Sequence, residues 1–352
     1  MSSNDRNKYS VAGVTRPLCI TDFVSGAADR PTVRPIALAE LEGLEPPSLF
    51  ESPAWLKAYG IENLVAISAD RQGGAEYPLL FAVRDRHLLH LGSLLWFEAA
   101  CIEYLTDVLL EQPGVDFVVF EDVQVEGPLS RRFGGSAFRY RRNWQIVLNG
   151  SEAEQYKNSS KSRSTNRRKQ RAMERDLGGV RIELERKPSR DLVKAIVELN
   201  RAKIETANRT HAIDARELDR LWAAVSQIGH VVTIRHGSRL IAGDIICTVG
   251  SRAYYVVTGY DMNVSQYSPG VIAHHHSIED SRQRGVFDFN MLWGDGVYKR
   301  RLGGKPRDLS TLVKRRSPSV RFTPAYVRAV GAYHWLDFKA RVKPLVRRQT
   351  AR

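Results

Sequence analysis

Residues 267–273 read "YSPGVIA". A serine, a proline and a glycine stand together at the point where strand-like sequence gives way to helix-like sequence. Upstream lie three runs rich in β-branched and aromatic residues: "HVVTIRH" (230–236), "RLIAGDIICTV" (239–249) and "RAYYVVTGY" (252–260). Gly-Ser pairs separate them, as expected of tight turns between strands. Downstream, the spacing predicts a helix from Pro269 to Gly285, a strand "VFDFN" (286–290) and a short helix at "VYKRRLGG" (297–304). Ser268 is placed as N-cap and Pro269 as first helical residue, a common way to begin a helix.

Further upstream, Ser151 and Glu154 have the spacing of a capping box. "VRIELERK" (180–187) alternates like a strand. Ser189 caps a predicted helix with the apolar stripe Leu192, Ile196, Leu199. Asp214 caps another carrying Leu218, Leu221, Trp222 and Val225, with Gly229 as its stop. The second half thus reads β-α-α-β-β-β-α-β-α. The first half is mixed α/β: a short helix behind Ser52-Pro53, strands in "ENLVAISAD", "YPLLFAVRD" and "DFVVFEDV", and the arginine-rich "RRFGGSAFRYRRNW" leading into "WQIVLNG".

The chain has 352 residues, enough for two domains, and 43% hydrophobic with 26% charged residues marks a globular protein. No stretch is long and apolar enough to span a membrane, and the first residues lack a basic-then-apolar signal pattern. Cys19, Cys101 and Cys247 are widely spaced and form neither a disulfide framework nor a metal motif. A reducing, cytoplasmic location is expected. The formal net charge is +14. Residues 157–176 hold eight Lys/Arg against two acids, and residues 305–352 hold thirteen against two. The remainder holds 32 basic and 35 acidic residues, so the basicity belongs to two patches that suit anionic partners.

Three stretches carry a family resemblance: "KSRSTNRRKQRAMERDLGGV" (161–180), "GYDMNVSQYSPGVI" (259–272) and "GVFDFNMLWGDGVYKRRLG" (285–303). Together with the element order, they resemble the FemAB-like branch of the GNAT acyltransferase superfamily. The nearest likeness is to the CelD (BioF2-like) group linked to cellulose and exopolysaccharide biosynthesis. "FESPAWLKAY" near the start resembles the same proteins. The resemblance implies an α/β (α+β) fold of tandem GNAT-like domains, each a mixed central sheet flanked by helices. The expected division is a degenerate GNAT-like domain at 1–145, the acyltransferase domain at 146–310 and a basic helical tail at 311–352.

The resemblance also implies transfer of an acyl group from acyl-CoA, most simply acetyl-CoA, to an amine or hydroxyl. Ser268, Pro269, Gly270 and Val271 would receive the CoA pyrophosphate at a helix N-terminus, with the amides of Gly270 and Val271 unpaired and forward-facing. The usual loop is Gln/Arg-x-x-Gly-x-Gly/Ala; Tyr267 and Ile272 depart from its first and last places. Tyr298 matches the tyrosine that protonates the leaving thiolate, and Lys299 would neutralise phosphate or substrate charge. Asp288, between Phe287 and Phe289, is the candidate general base, and Asp244, in an apolar run, the alternative. Asp295 is read as a turn residue. His274, His275 and His276 cannot converge on one ion, because consecutive helical residues point about 100° apart. No metal is expected.

The leading reading is an acyl-CoA-dependent N- or O-acyltransferase acting on a sugar, glycan precursor or small metabolite. An aminoacyl-tRNA-dependent transferase of FemABX type is the second, with tRNA on the basic patches. A non-catalytic polyanion-binding accessory of polysaccharide synthesis is the third. No DNA contact is expected. The tail after residue 321 mixes aromatic and basic residues and suits an anionic membrane at its inner face. Val327, Val330, Tyr333 or His334, and Phe338 are its predicted apolar stripe, which suits packing on the first domain equally well.

Overall fold

The computed structural model describes residues 30–68, 77–148, 160–206, 213–294 and 296–349, with two short strands at 10–11 and 14–15. The Ser151–Glu154 box, Cys19 and Asp295 lie outside the described residues. The chain divides into two compact units: residues 1–56, 60–143 and 307–352 form unit 1, and residues 57–59 and 144–306 form unit 2.

In unit 1, β1 (Thr32–Ile36) is followed by α1 (Pro53–Tyr59), β2 (Leu64–Ser68), β3 (Leu79–Arg84), β4 (His87–His90) and β5 (Trp96–Glu98). Then come α2 (Ala99–Leu110), β6 (Phe117–Glu126) and β7 (Ser136–Val147). The Ser52 hydroxyl accepts the N–H of Trp55 and starts α1, as its sequence predicts. β1 to β4 pair antiparallel in order, while β4 and β5 run parallel to β6. One face is sealed by α2, whose Ile102, Leu105 and Leu109 pack with Phe81, Phe97 and Phe120.

Unit 2 contains α3 (Ser160–Leu177), β8 (Val180–Glu185), α4 (Arg190–Thr206), α5 (Ala215–Ile228), β9 (Gly229–His236), β10 (Arg239–Val249) and β11 (Arg252–Tyr260). It continues with α6 (Pro269–Gln283), β12 (Asp288–Asn290) and α7 (Val297–Arg301). The caps act as the sequence implies: the Ser189 hydroxyl accepts Leu192 N–H, and the Asp214 carboxylate accepts Glu217 N–H. Strands β8 to β11 are antiparallel neighbours, turning at Gly237 and Gly250 with positive φ. β12 joins β11 in parallel and pairs antiparallel with residues 145–147.

Gly243 and Gly259 face each other across β10 and β11. A Cβ on Gly259 would meet the Ile196 carbonyl oxygen at 2.2 Å, and one on Gly243 would meet the Ile196 side chain at 2.5 Å. The paired glycines therefore let α4 lie directly on the sheet.

After unit 2 the chain enters β13 (Lys305–Arg315), which pairs with β6, and then α8 (Pro324–Gln349). The strand straddles the boundary expected at 310/311; the helix begins only at Pro324. Leu309, Leu312 and Val313 are buried, so this basic stretch still carries a strand's apolar face. Cys101 and Cys247 are buried thiols; burial pushes the Cys247 thiol up to about 12. Among the described residues no helix is long and apolar enough to cross a membrane.

Candidate functional site

β11 and β12 are in register only at Arg252–Asp288, Ala253–Phe289 and Tyr254–Asn290. Beyond them β11 runs on to Tyr260, while the other chain turns away through Leu292 and Gly294, both at positive φ. Two neighbouring parallel strands therefore part. Lys299 holds the departing loop: its ammonium donates to the carbonyls of Met291 (2.7 Å), Leu292 (3.0 Å) and Trp293 (2.6 Å). The resemblance gives Lys299 to phosphate or substrate charge; in the structure its side chain is 3% exposed and turned onto backbone oxygens. On β11 beyond the parting, the Thr258 carbonyl accepts from Asn200 and Lys203 of α4. Burial holds the Lys203 ammonium below its ordinary pKa, partly offset by the charge of Asp244.

The Ser-Pro-Gly turn begins α6, but its local chemistry differs from the expectation. Ser268 adopts the left-handed region (φ 54°, ψ 51°), and its hydroxyl does not cap the helix. Instead that hydroxyl accepts from Lys169 Nζ of α3 at 2.6 Å. The Val271 N–H, expected to be unpaired, donates to the Ser268 carbonyl at 2.9 Å. Pro269 has no N–H, so Gly270 supplies the one amide of this turn without an acceptor among the described residues. Gly270 is itself buried, and a Cβ there would meet the Tyr260 ring at 2.9 Å. Its smallness therefore serves packing against Tyr260. What the turn offers an anion is the positive end of α6, the Gly270 amide and the Lys169 ammonium. A lysine beside a helix N-terminus sets like charges together, an arrangement that an anion relieves.

The second cluster lies deeper. Asp244 of β10 is fully buried. Its Oδ2 lies 2.6 Å from His274 Nδ1 and accepts from the Ser277 hydroxyl at 3.0 Å. His274 Nε2 is 2.9 Å from the Tyr255 hydroxyl. The Tyr298 ring lies 5.1 Å from that of His274 and packs in the same cluster as Tyr255. Asp244, His274 and Tyr255 form one hydrogen-bonded chain from β10 through α6 to β11, with Tyr298 of α7 beside it. Burial, then the charge of Asp244, holds the Tyr298 hydroxyl well above the ordinary phenol range, so it keeps its proton. A Cβ on Gly296 would strike the Tyr298 ring at 2.4 Å, which explains a glycine just before the tyrosine.

Asp288 is buried at the start of β12, with Arg252 Nε at 3.9 Å. It stands at the paired end of the two strands, apart from the hydrogen-bonded chain. Asp244 is enclosed, held by His274 and Ser277. His274 escaped the sequence reading, which weighed it only as a metal ligand. The signal was present: Gly270, Ala273, His274, Ser277 and Ser281 of α6 are all buried, so the small residues mark the helix face on which His274 lies. Among the described residues no group of three or more His, Cys, Asp or Glu side chains is placed to hold a metal.

Comparison with known proteins agrees with this architecture. Residues 160–300 match the family model described as an acetyltransferase (GNAT) domain. Over 80% of this chain and 96% of the other, the fold is similar to that of FemX (TM-score 0.59, 11% identity). Weaker similarity extends to L-PGS from Bacillus licheniformis (TM-score 0.47, 14% identity, covering 84% of this chain and 99% of that one). A tandem GNAT protein from the clavulanic acid biosynthesis pathway is also similar (TM-score 0.40, 12% identity, 82% and 99% covered). No curated protein matches the chain. Residues 160–300 thus match an acetyltransferase (GNAT) domain, and the fold of the chain is similar to that of FemX.

Proposed function

We propose that unit 2 transfers an acyl group, most simply acetyl, from acyl-CoA to an amine or hydroxyl of a sugar, glycan precursor or small metabolite. The observation that carries this reading is the parting of β11 and β12, with Tyr298 packed against the hydrogen-bonded Asp244–His274–Tyr255 chain. A thioester arm lying between the parted strands would have its sulfur within reach of the tyrosine. The anionic end of the donor would meet Lys169, the Gly270 amide and the N-terminus of α6, a donor set that suits phosphate.

The acceptor attacks the thioester carbonyl, forming a C–N or C–O bond as the C–S bond breaks. The departing thiolate takes the Tyr298 proton. A phenol held above its ordinary pKa is a weak acid by itself. Tyr255 re-protonates it, hydrogen-bonded in turn to His274, which Asp244 orients as a buried carboxylate does in hydrolase triads. The proton lost by the acceptor restores the chain. We place the reaction in the cytoplasm.

The test is a thermal-shift series with acetyl-CoA, longer acyl-CoAs and free CoA, followed by thiol release in the presence of amino sugars. A concentration-dependent rise in Tm with acyl-CoA is expected. No shift with any thioester would overturn the reading.

The exposed Arg167, Arg168 and Arg171 on α3 favour a second reading, transfer from aminoacyl-tRNA. Activity that vanishes with ribonuclease and falls steeply with salt would select it.

A further inference from the structure

We propose that the outward face of α8 docks unit 1 on an anionic membrane surface. Five of the nine exposed large apolar side chains among the described residues fall between 322 and 338: Phe322, Val327, Trp335, Leu336 and Phe338. Phe322 is 72% exposed, and Val327, Trp335 and Phe338 are each more than half exposed. This corrects the predicted stripe. Tyr326, Val330 and Tyr333 pack against Phe117, Val119, Phe138 and Val313, whereas Val327 and Phe338 point outward. At about 100° per residue, Val327, Trp335 and Phe338 share the side of the helix opposite Tyr326, Tyr333 and Asp337.

Charge identifies the occupant. Residues 321–352 hold eight Lys/Arg and one acid, Asp337. That acid is buried and accepts the Arg139 N–H, so the described outward face carries no carboxylate. Arg321 lies over the Phe322 ring and Lys339 over the Trp335 ring, both at 4.6 Å. Trp335 and Phe338 stack at 6.0 Å. Aromatic rings flanked by cations suit the boundary between headgroups and acyl chains, with the cations on anionic phosphates. A protein partner of ordinary composition would not call for so one-sided a charge.

The test is co-sedimentation of the full chain with phosphatidylcholine vesicles, with and without phosphatidylglycerol. Binding to the anionic vesicles alone, weakening with salt, is expected. Trp335→Ser with Phe338→Ser should weaken it at least about tenfold at unchanged net charge. Arg328→Glu with Lys339→Glu should cost about fivefold for each cation removed. All four positions are exposed, so the thermal midpoint should not move. Equal sedimentation of the aromatic variant, or no anionic-vesicle binding by the parent chain, overturns the proposal. So does a parent dimer that the aromatic variant renders monomeric, which would mean that a second copy covers the face.

Discussion

In unit 1 the ring of His90 lies among Phe81, Phe97 and Phe120, with ring centroids 5.0–5.5 Å away, and neither nitrogen has a hydrogen-bond partner. The nearest carboxylate, Glu51, is 4.0 Å distant and accepts the Leu80 N–H and the Ser48 hydroxyl instead. In unit 2 the ring of His274 joins Asp244 at 2.6 Å and Tyr255 at 2.9 Å, with the Tyr298 ring 5.1 Å away. Each pair sets a buried histidine beside a buried carboxylate. Burial alone holds His90 neutral, down to about 3, so it cannot exchange a proton near neutral pH. His274 has a partner on both nitrogens and can carry a proton from one to the other. The helices differ in the same sense: α2 has Glu98 at its N-cap, whereas α6 has Ser268 with Lys169 against it. An acid at the N-cap repels an anion that a lysine would attract.

The sharpest way to break this contrast is to remove each histidine in turn. His274→Leu should cost about 3–5 kcal/mol in urea unfolding, because Asp244 is left buried without its partner, and should abolish turnover. His90→Leu should be neutral or stabilise by about 1 kcal/mol, since it deletes two unpaired nitrogens from an apolar site. Equal losses in both variants would erase the distinction.

Tyr298→Phe should lower kcat about 100-fold or more while the acyl-CoA-induced rise in Tm persists. Unchanged turnover would remove the tyrosine from the chemistry. Lys169→Glu should weaken donor binding about tenfold by titration, with little change in the thermal midpoint of the free protein. An unaltered affinity would mean that Lys169 only props up Ser268.

The smallest effect concerns pH. His90 and His230 are both lowered to about 3, chiefly by burial, so the unfolded chain binds more protons than the folded one below about pH 6.5. Stability should therefore fall between pH 6.5 and 5, each histidine contributing up to about 1.4 kcal/mol per pH unit. His90→Leu should remove one of the two contributions. A slope that ignores this substitution would show that His90 already accepts a proton in the folded state.

Elements governed by near neighbours were legible in the sequence. Ser52, Ser189 and Asp214 each accept the N–H three residues ahead, and strands 239–249 and 252–260 have the bounds their alternation implies. β13 was missed because its arginines and lysines masked Leu309, Leu312 and Val313. At the site, the residue types were legible but not their use. Asp244 is hydrogen-bonded to His274, whose ring lies against that of Tyr298; Lys299 faces backbone carbonyls; Ser268 binds a lysine 99 residues away.

By itself, then, the sequence determined the order of strands and helices between residues 180 and 301, the turn ahead of α6, the two basic patches and the presence of a tyrosine at the start of α7. Those depend on interactions spanning a few residues, which spacing encodes. Only the tertiary structure decided that His274 joins Asp244 to Tyr255 beside Tyr298, that the glycines at 243 and 259 admit α4, and which face of α8 points outward. Each of these joins groups distant in the chain, and their meeting is set by how sheet and helices pack.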